Sequence, residues 1–157
     1  MPLFLVHGFT GYLLNNEKGF LYGILPDIIS FSLFFYRHFK KYDLDMNIIN
    51  KIHSKDMTNI DWFLYDISHS LVLWTILLLI TKNKLFYIPI ISIIFDIFLH
   101  SEKFKGWRGP KFLYPLSNIY VEGIHWYSFL GIIITLISIM IFIKYKNRIK
   151  RYLFEKE

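Results

Sequence analysis

The chain has 157 residues and no cysteine, is 54% hydrophobic and 20% aromatic, and carries a formal net charge of +6. The missing cysteines exclude disulfides, thiolate zinc sites and a cysteine nucleophile, and the length suits one domain. A mean hydropathy of +0.38, with the apolar residues gathered into long blocks, points away from a soluble domain and toward a membrane protein.

The blocks predict an all-α, multi-pass transmembrane helical bundle of about four spans plus a short N-terminal helix. Residues 1–143 form a single transmembrane domain and 144–157 a basic C-terminal tail. The positive charge lies mainly in two loops and the tail, flanking apolar spans, so membrane lipids are the expected partners. No aromatic-interleaved basic stripe or other nucleic-acid signature is present.

Met1 to Leu14 has neither the basic n-region nor the small-residue cleavage site of a signal peptide. The apolar part, Pro2 to Leu14, carries His7, Gly8 and Gly11 and is too short to span, so it reads as a short or partly inserted helix. Asn15-Asn16-Glu17-Lys18-Gly19 is a turn signal. Phe20 to Tyr36 follows, interrupted at Pro26-Asp27, where the aspartate is either the cap of a restarted helix or part of a site. Arg37 to Asn59 is polar with a weak helical period, as in an interfacial helix.

Ile60 to Thr81 is the second span and holds Asp61, Asp66 and His69. The short turn Lys82-Asn83-Lys84 makes it an antiparallel neighbour of the third span, Leu85 to His100. A basic loop then carries Lys103, Lys105, Trp107, Arg108 and Lys111, and residues 119–143 form the fourth span, with Glu122 and His125 its ionisable residues. Lys144, Lys146, Arg148, Lys150 and Arg151 argue for a cytoplasmic C-terminus in a cell membrane, although both other loops also carry lysines.

Alternating spans bring the start of 60–81, the end of 85–100 and the start of 119–143 to one membrane face. Those ends hold Asp66 and His69, Asp96 and His100, and Glu122 and His125, each pair three or four residues apart and so on one helix face. Carboxylates and imidazoles converging from several helices are how bundles build metal sites. Oxygen and nitrogen donors without sulfur suit zinc first, with manganese or iron as alternatives, and such an ion lowers the pKa of a bound water toward neutrality. The same row of groups also suits an ion or proton path, or salt bridges holding a polar bundle interior.

Several segments, in order, resemble one family. Gly23-Ile24-Leu25-Pro26-Asp27-Ile28, Ser68-His69-Ser70-Leu71, Asp96-Ile97-Phe98-Leu99-His100 and Leu113-Tyr114-Pro115-Leu116-Ser117 look like the G-x-L-P-D-I, T-H-S-L, D-x-x-T-H and L-Y-P-L-S segments of the predicted membrane-bound, metal-dependent hydrolases of bacteria and archaea. His7 sits where that family carries an N-terminal histidine. The resemblance implies a metal site of His7, Asp27, His69 and Asp96, with Asp66 or His100 as general base or acid. Two positions depart from the pattern. Ser92 replaces a histidine four residues before Asp96, and the histidine often found shortly before T-H-S-L is absent, with Asp66 nearby instead. Either Asp66, His100 or the pair Glu122 and His125 completes an altered ligand set, or the metal is lost.

The resulting expectation is a metal-dependent hydrolase acting at the membrane surface. Lys103, Lys105, Arg108 and Lys111 would favour an anionic substrate such as a phosphoester or lipid headgroup. The alternative is a non-catalytic membrane protein, either an ion or proton conduit or a partner-binding subunit.

Overall fold

The structure, a computed structural model, describes residues 2–42, 54–99, 106, 108–124 and 128–155. The described residues are all-helical, without a strand: α1 (Pro2–Tyr42), α2 (Asn59–Ser68), α3 (Leu71–Thr81), α4 (Tyr87–Phe98) and α5 (Phe129–Lys150). Residues 43–53 of the polar segment and 101–105 and 107 of the basic loop, with Lys103, Lys105 and Trp107, lie outside the described residues, as do His100 and His125.

α1 is two helices rather than one. Asn15 and Asn16 leave helical geometry (φ −150°, ψ 42° and φ 49°, ψ −138°), and asparagine tolerates such positive φ better than most residues. The chain reverses there, and the first arm, 2–14, lies back along the second, 17–42. The close approach depends on glycine. A Cβ on Gly11 would overlap the carbonyl of Gly19, and one on Gly23 would meet the carbonyl of His7. Small residues let two backbones approach in this way, as at helix interfaces in membranes. The predicted interruption at Pro26-Asp27 does not occur. Pro26 sits inside the helix without a break, so Asp27 caps nothing and its side chain is available to a site.

The predicted span 60–81 is broken. α2 and α3 meet at a bend of 51°, with His69 ending α2 and Ser70 accepting from Leu73 N to start α3. Polar groups freed at the break find local and distant partners. Trp74 Nε1 donates to Ser68 O at 2.6 Å, Leu71 N donates to Phe112 O at 2.8 Å, and Ser70 Oγ donates to Tyr114 O. Non-helical backbone within a span is tolerated when protein covers it, and residues 112–114 provide that cover.

α3 and α4, joined through Lys82-Asn83-Lys84, form a short hairpin. At 12 residues, α4 is about 18 Å long, too short to cross a bilayer alone. The fourth span starts later than predicted, because residues 119–124 are not helical and α5 begins at Phe129, capped by Ser128 Oγ accepting from Gly131 N at 3.0 Å. Glu122 is exposed on this non-helical segment and shares no helix face with a ligand site. α5 continues through the basic residues to Lys150.

Two helical stretches are long and apolar enough to cross a membrane, within Phe4–Lys40 and Leu130–Phe154, and a third if α2 and α3 count as one broken span. Since the chain reverses at Asn15–Asn16, the first crossing belongs to the second arm of α1. Two buried clusters set the ends of the bundle. Leu14, Ile88 and Phe142, with Leu85, Ile149 and Phe154 against them, gather the two turns and the end of α5. Phe34, Met57 and Tyr65, with Trp62, join the second arm to α2 at the other end.

Candidate functional site

Between those clusters four side chains meet. His7 comes from the first arm of α1, Asp27 from the second, His69 from the break after α2, and Asp96 from the last turn of α4. Each stands about 12–18 Å along its helix from the end that holds the two turns, near half the hydrocarbon thickness of a bilayer. Of the ionisable groups expected at helix ends, Asp96 lies in the last turn of α4, whereas His69 lies midway along 60–81, at the break, and Asp27, from outside that set, joins them from mid-helix.

His7 is held between the two carboxylates. Its Nδ1 is 3.2 Å from Asp27 Oδ2, and its Nε2 is 3.2 Å from Asp96 Oδ1. A neutral imidazole has one N–H and can donate to only one of them. His69 is more constrained still. Its Nδ1 lies 3.1 Å from Tyr65 O and 3.1 Å from Ser68 Oγ, while the serine hydroxyl itself donates to Tyr65 O. A carbonyl only accepts, so Nδ1 carries the proton. The other nitrogen, Nε2, then faces Asp27 Oδ1 at 3.5 Å and Asp96 Oδ2 at 3.4 Å. In a neutral ring that edge is a lone pair directed at two anions.

Burial makes this arrangement costly unless positive charge balances it. His7, His69 and Asp96 are each 1% exposed, and the Asp27 side chain is 12% exposed. Two buried carboxylates need two positive charges, because an unpaired buried charge costs several kcal/mol. Two protons, one on each imidazole, would suffice; so would one divalent cation. The donor set of two nitrogens and two oxygens is that of zinc, manganese or iron. The Nδ1–H contact of His69 to a backbone carbonyl is the usual way a ligating histidine is fixed. The N···O separations of 3.2–3.5 Å approach the edge of a tetrahedron with bonds of about 2.1 Å. As the side chains stand, however, no group of three or more His, Asp or Glu residues among the described residues has the geometry of a metal site. The ring of His7, with one nitrogen on each carboxylate, would have to release one of them.

Asp66 does not join the four. Although three residues apart, the two side chains take different partners: His69 faces Asp27 and Asp96, and Asp66 faces the 108–118 loop. Arg108 pairs with Asp66, Nη2 donating to Oδ2 at 2.9 Å and Nη1 lying 2.8 Å from Oδ1, and Lys111 Nζ lies 3.5 Å from Oδ2. The guanidinium also lies over the Trp62 ring, 4.3 Å from its centroid. Asp66, assigned above as general base, is thus the anchor of the 108–118 loop beside the α2–α3 break. Asp61 is likewise taken up locally, pairing with Arg37 and accepting from Thr58 N at 2.7 Å.

Three contributors escaped sequence reasoning. Tyr65 places its carbonyl on His69 and its ring 4.5 Å from the imidazole; its place one turn before His69 was the available signal. Trp74 holds the break through Ser68, and nothing in an apolar run singles it out. Ser92, noted above only as a departure, is fully buried one turn before Asp96, and its hydroxyl has no hydrogen-bond partner among the described residues.

No family model, curated protein or solved structure matches this chain.

Proposed function

We propose that His7, Asp27, His69 and Asp96 hold a divalent cation and that the protein is a membrane-embedded, metal-dependent hydrolase. The observation that carries this reading is His69, with its Nδ1 proton committed to Tyr65 O and its Nε2 directed at two buried carboxylates. A cation of charge two, most simply zinc, balances both carboxylates at once, and the resemblance to metal-dependent hydrolases points the same way. When bound, the ion would supply Lewis acidity and a water activated near neutral pH.

The chain's own residues account for the rest. Tyr65 O fixes the His69 ring, the paired arms of α1 bring His7 against Asp27, and residues 112–114 cover the break from solvent. Arg108 and Lys111 carry two positive charges against one on Asp66, leaving a net cation beside the α2–α3 break. That charge suits an anionic substrate, a phosphoester or lipid headgroup.

Metal analysis of the detergent-purified protein tests the reading. Near-stoichiometric metal in the wild type is expected, falling sharply in His69→Ala and Asp96→Ala, with phosphoesterase activity following the metal. Sub-stoichiometric metal in the wild type, or metal unchanged in both variants, would sink it. A second reading is favoured by the direct His–Asp contacts and by the lack of a ready metal geometry: the four residues are held by protons in a non-catalytic membrane protein. That protein would bind no metal and, as a proton conduit, would show flux in proteoliposomes that Asp96→Asn abolishes.

A further inference from the structure

α4 and α5 leave a groove of about 450 Å³ between them. Its walls are Phe95 of α4 and Ile141 and Phe142 of α5, with Ser138 along one end and Tyr145 and Arg148 along the other. From Ser138 to Arg148 the helix advances about 15 Å, half the hydrocarbon thickness of a bilayer. Residues 129–143 of α5 contain no ionisable side chain, and Lys144, Lys146, Arg148, Lys150 and Arg151 follow within eight residues. The groove therefore runs from purely apolar sequence to the point where basic residues begin. Tyr145 stands at that transition, as aromatic residues do at membrane interfaces.

Charge decides what the open end accepts. Arg148 is exposed, and no carboxylate among the described residues pairs with it. Lys18 and Lys82, on the two turns, lie toward the same end of the bundle, where Leu14, Leu85 and Ile149 belong to one apolar cluster. Only Glu17 offsets them on those turns. The apolar walls require an occupant with a hydrocarbon chain, and the cationic end requires one with a negative head.

We infer that this groove binds an anionic phospholipid, one acyl chain lying against Phe95 and Phe142 and the phosphate pairing with Arg148. The site is separate from the His–Asp cluster and does not depend on its chemistry.

Native mass spectrometry of the full chain, released from detergent with equal amounts of dioleoyl phosphatidylglycerol and dioleoyl phosphatidylcholine, tests it. One basic residue at a headgroup is worth about fivefold in binding, so the wild type should retain phosphatidylglycerol over phosphatidylcholine by at least that factor. Arg148→Gln should remove the preference by lowering phosphatidylglycerol retention more than phosphatidylcholine retention, and Ser138→Trp, which fills the apolar end, should reduce both lipids. Lys84→Gln, on the turn and outside the groove, should change neither. Equal retention of the two lipids by the wild type overturns the inference, as does a preference that survives Arg148→Gln. If Ser138→Trp fails to fold, Arg148→Gln, an exposed substitution, decides alone.

Discussion

Asp96→Asn is the most discriminating substitution in the cluster, because it keeps the side chain's size while removing one of two buried negative charges. Asp96 faces His7 Nε2 at 3.2 Å and His69 Nε2 at 3.4 Å, so both imidazoles lose a charged partner. A ligand present at one hundred times its Kd stabilises the folded state by about 2.7 kcal/mol. For a chain of this size each kcal/mol moves Tm by about 2–4 °C, so zinc added to stripped wild-type protein should raise Tm by about 5–11 °C. If losing one charged ligand weakens binding a hundredfold, the same zinc concentration then equals Kd. The gain falls to about 0.4 kcal/mol and the Tm shift to about 1–2 °C. The assay is thermal unfolding of detergent-solubilised protein, followed by circular dichroism after chelation and again after zinc, manganese or ferrous iron is restored. A wild-type Tm that none of the three ions moves by more than about 1 °C refutes the divalent-cation argument and leaves two protons as the balancing charge.

Other expectations follow from single contacts. Arg108→Ala should destabilise the protein by about 1.5–3 kcal/mol, because it removes the charged hydrogen bond to Asp66 and leaves Lys111 as the remaining counter-charge; the double variant with Asp66→Asn should recover much of that in the same melts. A smaller loss for Arg108→Ala than for the double variant would contradict the pairing. Gly23→Ala forces the arms of α1 apart at the carbonyl of His7 and should cost about 1–3 kcal/mol by overpacking. It should lower bound metal more than Gly11→Ala, which acts at Gly19, away from the cluster; metal analysis of the two variants checks this order. Ser92→Ala removes a buried hydroxyl that has no partner among the described residues, so it should be neutral or slightly stabilising. A drop in bound metal in that variant would instead place the hydroxyl in the site.

Much of the fold was legible because the residues that create it act locally. Asn15 and Asn16 announce a turn, 2–14 is too short to span, and Lys82-Asn83-Lys84 forces α3 and α4 together. The break at Ser68-His69-Ser70 was not legible. Its flanks are as apolar as a continuous span, and the groups that stabilise it, Trp74 Nε1 and the backbone of 112–114, come from one turn ahead and from a distant loop. The late start of α5 was missed for a related reason. Ile119-Tyr120-Val121 adds to an apolar count without being helical, whereas Ser128 before an unbroken apolar run is a proper start signal. For the site, spacing alone favoured Asp66 with His69 and Glu122 with His125; the structure gives Asp66 to Arg108 and Lys111 and places Glu122 on a non-helical segment, while His125 lies outside the described residues. Resemblance to a family singled out His7, Asp27, His69 and Asp96 together, residues that only the folded chain brings into contact.

The break and the charges have a common logic. Ending α2 at His69 lets the chain turn into α3 directly after the imidazole, while the i−4 carbonyl of Tyr65 holds both His69 N and Nδ1. The backbone groups exposed by that turn are then met by Trp74, Phe112 and Tyr114, and Asp66, left on α2, becomes the post to which Arg108 ties the covering loop. One structural device thus separates two carboxylate–cation systems that the sequence places three residues apart. Asp66 is neutralised permanently by the chain's own arginine and lysine. Asp27 and Asp96 instead face the two imidazoles of His7 and His69, groups whose charge changes with a proton or with a bound ion, which is what a working site requires and a purely structural salt bridge does not.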